Sequence, residues 1–140
     1  MSRHERYGRW AALLYRSLID PAVASLRPTI TRICLEEGVA LALDIACATG
    51  AQCRALAAAG IRATGVDLSE PMIEAARAAS IAGPEFVLGS ALDLPFTAAS
   101  FDAAILSLAL HEHPEEDRTA MLREAGRVLR PGGLLLVADY

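Results

Sequence analysis

One stretch constrains this chain more than any other: Leu41 to Asp67, reading LALDIACATGAQCRALAAAGIRATGVD. A short apolar run ends in Asp44, a turn of small residues follows, a helical segment leads on, and a second apolar run ends in Asp67. Strand, turn, helix and strand in this order form a βαβ unit, whose strands lie parallel because the connecting helix carries the chain back. The small residues of the turn let a ligand approach the backbone, and the following helix presents N–H groups that have no partner inside the helix. An acid about 20 residues further on, here Asp67, can take both hydroxyls of a ribose. The unit therefore reads as a nucleotide-cofactor site. Its turn is unusual, because Ala46 and Ala48 stand where glycines are expected.

The rest of the chain extends the same pattern. Strands are expected at Leu41–Ile45, Ala63–Val66, Glu85–Leu88, Asp102–Ser107 and Leu134–Ala138. Helices are expected at Gln52–Ala59, capped by Gly60, from Ser69 as N-cap to about Ser80, and from Pro114 to about Leu129. The turn Arg130-Pro131-Gly132-Gly133 leads into the last strand. Residues 1–38 read as a helical cap, with Trp10, Leu13, Leu14, Leu18 and Ile19 at helical spacing, and Pro28 inside a second helix stopped by Gly38. Five strands alternating with helices predict one α/β domain: a Rossmann-like open, mostly parallel sheet with helices on both faces, ending after strand five. In such sheets ligands bind beyond the C-terminal ends of the strands, where strand order reverses. Asp44 to Gly50, Asp67, Asp93 and Ser107 to His113 all fall there.

Composition excludes several classes. A formal charge of −4, with scattered Lys and Arg, argues against nucleic-acid binding. Although 54% of residues are apolar, no run is long enough to span a bilayer, and the N-terminal apolar stretch is too short and interrupted for a signal peptide. Cys34, Cys47 and Cys53 show no metal-ligand spacing, and their odd count suggests a reducing compartment. A cytoplasmic protein without a metal is expected.

Individual residues carry further expectations. A buried Asp44 must either bond loop amides or receive a cationic amine. Asp67 could bind two hydroxyls or cap the helix beside Ser69. Asp93, in GSALDLPF, could accept from an exocyclic amine or serve as a plain turn residue. His111 is the candidate general base; otherwise it shapes the pocket while His113 caps the next helix.

Taken in order, LDIACATG, GVDLSEPMIEAA, GSALDLPF, FDAAILSLALHEHP and VLRPGGLLLVAD resemble the class I S-adenosylmethionine-dependent methyltransferases, nearest to the group of quinone-biosynthesis methyltransferases. The resemblance covers roughly Ala40 to Tyr140. It implies S-adenosylmethionine as cofactor and a small-molecule methyl acceptor. It also implies roles residue by residue. Asp44 and the turn from Ala46 through Cys47 to Gly50 hold the methionine end, and Asp67 the ribose. Leu68 and Met72 lie against the adenine, Asp93 meets its amine with the Leu92 and Leu94 backbone beside it, and Ser107 and Leu108 lie near the methionine amine. Tyr7 and Tyr15 are candidate lid residues. Two departures stand out: the alanines at 46 and 48, expected to weaken or displace cofactor binding, and the ending after strand five. The family sheet continues beyond that strand, so the chain is expected either to be truncated or to cover the edge by pairing with a second copy. A nicotinamide-binding domain, reading Ala46-x-Ala48-x-x-Ala51 and Asp67 as its fingerprint, and a cofactor-binding protein without turnover are the alternatives.

Overall fold

The computed structural model describes residues 24–139. The helical pattern around Trp10 to Ile19, with Tyr7 and Tyr15, lies outside them. The described chain runs α1 (Leu26–Glu36), β1 (Leu41–Ile45), α2 (Ala51–Ala58), β2 (Arg62–Asp67), α3 (Glu70–Ala79), β3 (Glu85–Leu88), β4 (Phe101–Ser107), a 3-10 turn (Leu110–Glu112), α4 (Glu115–Val128) and β5 (Leu129–Ala138). The five strands form one sheet in the order β3-β2-β1-β4-β5, and every pair is parallel. The order turns back between β1 and β4. That junction is where a parallel sheet opens a crevice for a ligand.

Alternation along the strands divides the core in two. Ala42, Ala63, Ala103 and Ile105 face one side with Ile30 and Cys34 of α1, Cys53 and Leu56 of α2, and Ile73 and Ala76 of α3. Leu43, Ile45, Val66, Ala104 and Leu106 face the other, against Met121, Ala125 and Val128 of α4. The sheet offers three alanines to the three-helix side, so those helices can pack close. On the α4 side larger side chains fill the space. Leu43, Ile45, Ile105 and Leu106 are wholly buried, and each such side chain stabilises the fold by about 1.5–3 kcal/mol relative to exposure.

Most expected boundaries hold to within a residue or two. The last strand differs: Leu129 already pairs with Phe101, and pairing resumes at Ala103 with Leu134. The expected turn at 130–133 is thus a bulge inside β5, with Gly132 at φ 78°. Asp102 ties this region together. Its Oδ2 accepts from the Ala40 and Leu41 amides at 3.0 and 2.9 Å, and its Oδ1 from Arg130 Nη1 at 2.7 Å. β5 forms an edge of the described sheet, with Leu135 37% and Val137 46% exposed.

Candidate active site at the strand switch

The turn after β1 lies at the C-terminal edge of the sheet, where the Cys47 amide donates to Val66 O of β2 at 3.0 Å. Ala46 and Ala48 adopt φ of 60° and 48°, and Gly50, which starts α2, adopts 81°. Left-handed backbone costs an L-residue on the order of 1 kcal/mol, so the alanines hold a glycine-type turn under strain. Leu108, just past β4, is a third strained residue at φ 55°, its amide donating to Ala138 O at 2.7 Å. Strain persists where the surrounding structure over-determines it. Ala46, Ala48 and Leu108 lie at the C-terminal edge of the sheet, whereas Ala99, at φ 55°, lies in the loop before β4.

Asp67, at the end of β2, fixes the turn. Its Oδ2 accepts from the Ala48 amide and its Oδ1 from the Ser69 amide, both at 2.9 Å. Ser69 in turn caps α3, accepting from the Met72 amide at 3.4 Å. Asp67 thus braces the turn and the helix entry, and each of its oxygens keeps a second lone pair. Leu68 beside it is 74% exposed, and Met72 is half-buried.

Asp44 is 5% exposed and lies between Gly65 and Ile105 across the sheet. Burial, with Asp67 adding like charge, pushes its carboxyl up to about 7, against an opposing pull from Arg27. Burial thus favours the protonated form of the group, and a cationic ligand beside it would favour the ionised one. Gly65 makes the room beside it: a Cβ there would lie 2.7 Å from Cys47 Sγ and 2.9 Å from the Phe86 ring. Cys47 is buried, and desolvation raises its thiol, with Asp44 and Asp67 adding to the effect. It is a packing residue of the turn, not a nucleophile.

Asp93 is exposed in a short turn that pairs Ser90 with Asp93. Leu92 beside it is 41% exposed, and Leu94 is buried. The Gly89 amide donates to Asp67 O at 3.0 Å and joins this loop to the end of β2. Ser107 and Leu108 stand half-buried at the end of β4.

His111 sits in the 3-10 turn that follows. Its Nδ1 is 2.8 Å from Asp139 Oδ1, while Asp139 Oδ2 accepts from the Leu110 and His111 amides at 2.9 and 3.3 Å. A carboxylate facing Nδ1 assigns it the proton in the neutral ring, which leaves proton exchange to Nε2, 3.8 Å from Glu112 Oε1. Sequence reasoning missed Asp139. It follows an apolar strand, but its contact with His111, 28 residues away, leaves no mark in the sequence. His113 is not a helix cap, because no side-chain bond caps the start of α4. Asp44, the turn, Asp67 and the Ser107–His111 segment thus share one edge of the sheet, joined by the loop bearing Asp93.

Residues 43–137 match the family model described as a methyltransferase domain. The chain belongs to the S-adenosylmethionine-dependent methyltransferases. It is 41% identical over 101 residues to the demethylmenaquinone methyltransferase of Clavibacter sepedonicus, covering 70% of this chain and 40% of that protein. It is 32% identical over 145 residues to the 27-O-demethylrifamycin SV methyltransferase of Amycolatopsis mediterranei, covering 94% and 52%. Among solved structures, a SAM-dependent methyltransferase from Methanosarcina mazei superposes with a TM-score of 0.63 at 32% identity, covering 68% of this chain and 50% of that one. This methyltransferase chain spans about half the length of the curated relatives it matches. The family cofactor, S-adenosylmethionine, sets aside the nicotinamide alternative. Among the described residues, no helix is long and apolar enough to cross a membrane.

Proposed function

We propose that the protein binds S-adenosylmethionine across the C-terminal edge of β1, β2 and β4 and methylates an oxygen of a small-molecule acceptor. The observation that carries the cofactor reading is the buried Asp44 beside a glycine-type turn braced by Asp67. This arrangement suits a ligand with a cationic amine at one end and a ribose at the other. Asp44 takes the amine, Ala46, Cys47 and Gly50 line the methionine end, and the spare lone pairs of Asp67 take the ribose hydroxyls. Leu68 and Met72 lie along the adenine, Asp93 accepts from its amine beside Leu92 and Leu94, and Ser107 and Leu108 border the methionine end.

Bound there, S-adenosylmethionine would supply an electrophilic methyl group to the acceptor oxygen. Positioning accomplishes most of such a transfer. A base helps when the acceptor must lose a proton, and His111 Nε2, with Nδ1 held by Asp139, is suited to take it. That pairing favours a hydroxyl-bearing acceptor. The exposed β5 edge is covered either by a further segment of a longer protein or by a second copy of the chain, and size-exclusion chromatography tests the second by a mass of two chains against one.

Thermal-shift measurements with S-adenosylmethionine, S-adenosylhomocysteine and NAD test the cofactor. The first two should stabilise the protein and NAD should not; stabilisation by NAD alone would reverse the reading. Transfer of labelled methyl to hydroxyl acceptors tests turnover, and binding without any transfer would favour the cofactor-binding alternative.

A further inference from the structure

The loop from Gly89 to Ser100 carries Asp93, yet it has no regular secondary structure to hold it. Two side chains of α4 do so. Leu94 N–H donates to Glu124 Oε1 at 2.8 Å, and Leu94 O accepts from Arg127 Nη2 at 3.0 Å. Arg127 Nη1 donates to Phe96 O at 2.8 Å. The same guanidinium pairs with Glu124, Nε to Oε2 at 2.6 Å and Nη2 to Oε1 at 2.9 Å. Both backbone polar groups of the residue after Asp93 are thus fixed by one ion pair, while the Leu94 side chain anchors the loop in the α4-side core. On the other flank, the Leu92 amide donates to Ser90 Oγ at 3.1 Å and the Asp93 amide to Ser90 O at 3.2 Å.

This wiring leaves Asp93 as the exposed residue between two fixed neighbours. The direction in which the Asp93 side chain leaves the backbone is thereby set. A guanidinium is required because its planar fork reaches two carbonyls and a carboxylate together, which a lysine ammonium on one flexible stem does not. Glu124, with a smaller contribution from Asp93, raises the Arg127 guanidinium pKa, so the cation lies close to both acids.

We propose that Glu124 and Arg127 are positioning residues that set this site's selectivity for the purine amine, by fixing the Leu94 and Phe96 backbone that aims Asp93. The inference rests on the cofactor reading above. The test compares binding of S-adenosylhomocysteine and S-inosylhomocysteine, in which a carbonyl replaces the exocyclic amine, by calorimetry on wild type, Arg127→Ala, Arg127→Lys and Glu124→Gln. The wild type should prefer the adenosyl ligand by about tenfold, the scale of one hydrogen bond to a charged group. In the Arg127 variants the preference should fall to within about twofold through loss of adenosyl affinity alone, and Glu124→Gln should fall between. A merely structural clamp would weaken both ligands by the same factor, and that result overturns the proposal, as does a wild type or an Arg127 variant set with unchanged preference throughout. If Arg127→Ala does not fold, Arg127→Lys and Glu124→Gln decide. A wild type that binds neither ligand overturns the cofactor reading itself, an outcome visible before any variant is made.

Discussion

Asp139 holds His111 through both carboxylate oxygens, Oδ1 on the ring nitrogen at 2.8 Å and Oδ2 on the backbone amide at 3.3 Å. One acid at the end of β5 therefore sets the position and the tautomer of a histidine on the neighbouring segment. Replacing Asp139 with Asn puts an amide donor or a neutral acceptor against Nδ1 and loosens both. The expected result is a fall in kcat of about tenfold to a hundredfold, with His111→Ala losing on the order of a hundredfold or more. The affinity for S-adenosylhomocysteine should stay within about twofold, since neither side chain is part of the Asp44–Asp67 cluster. Labelled-methyl transfer and calorimetry measure the two quantities, and full turnover by Asp139→Asn would rule out the base.

Asp44 predicts a pH dependence. Its folded carboxyl lies near 7 because it is buried beside Asp67, whereas an unfolded aspartate titrates near about 4. The folded state then holds the extra proton, so stability from this group is full below about 4 and is lost as pH rises toward about 7. The empty protein should melt at a lower temperature at pH 8 than at pH 5, and Asp44→Asn should remove that difference. Ligand binding runs the other way: a cationic amine favours the carboxylate, so affinity should rise with pH up to about 7 and then level off. Melting curves and calorimetric titrations across pH check both signs, and a wild-type profile parallel to that of Asp44→Asn would sink the assignment.

The strained alanines give a third prediction. Glycine at Ala46 and Ala48 removes a left-handed penalty on the order of 1 kcal/mol at each position. Against that gain, glycine adds freedom to the unfolded chain, so the melting temperature should change by only a few degrees. The larger effect should appear in binding, because the two methyl groups lie on the turn proposed to receive the methionine end. We expect the double variant to bind S-adenosylhomocysteine about threefold to tenfold more tightly. Equal affinity in calorimetry would show that the turn already has its binding geometry.

What could be read from the sequence was whatever local pattern dictates. Short apolar runs bounded by turn residues placed β1 to β4, as expected of strands covered on both faces, and the acids closing β1 and β2 fall at the edge where strand order turns back. The bulge in β5 was hidden because Arg130-Pro131-Gly132-Gly133 has turn chemistry, while the pairing of Leu129 with Phe101 depends on a strand 28 residues away. Asp139 and the Glu124–Arg127 pair were missed for the same reason. Each acts on a residue 28 to 33 positions distant, and no spacing rule in one chain reports a contact of that kind. Gly65 was also passed over, since a glycine inside an apolar strand carries no sign of what occupies its vacant Cβ position.

Gly65 and Gly126 should respond in opposite ways to alanine. At Gly65 a Cβ would meet Cys47 Sγ, Cys47 Cβ and Phe86 Cδ1 at 2.7, 2.8 and 2.9 Å. Cys47 cannot yield freely, because its amide donates to Val66 O at 3.0 Å within the cofactor turn. Gly65→Ala should therefore cost about 1–3 kcal/mol of stability and displace the turn, weakening S-adenosylhomocysteine binding as well. Gly126 lies in α4 with nothing within 4 Å of its Cβ position, so alanine there should add about 0.5–1 kcal/mol through helix propensity. It should leave ligand affinity unchanged, since a Cβ there would touch nothing within 4 Å. Calorimetric unfolding and ligand titration of both variants test the pair: a tolerated Gly65→Ala with native affinity would mean that Cys47 and the turn are free to move.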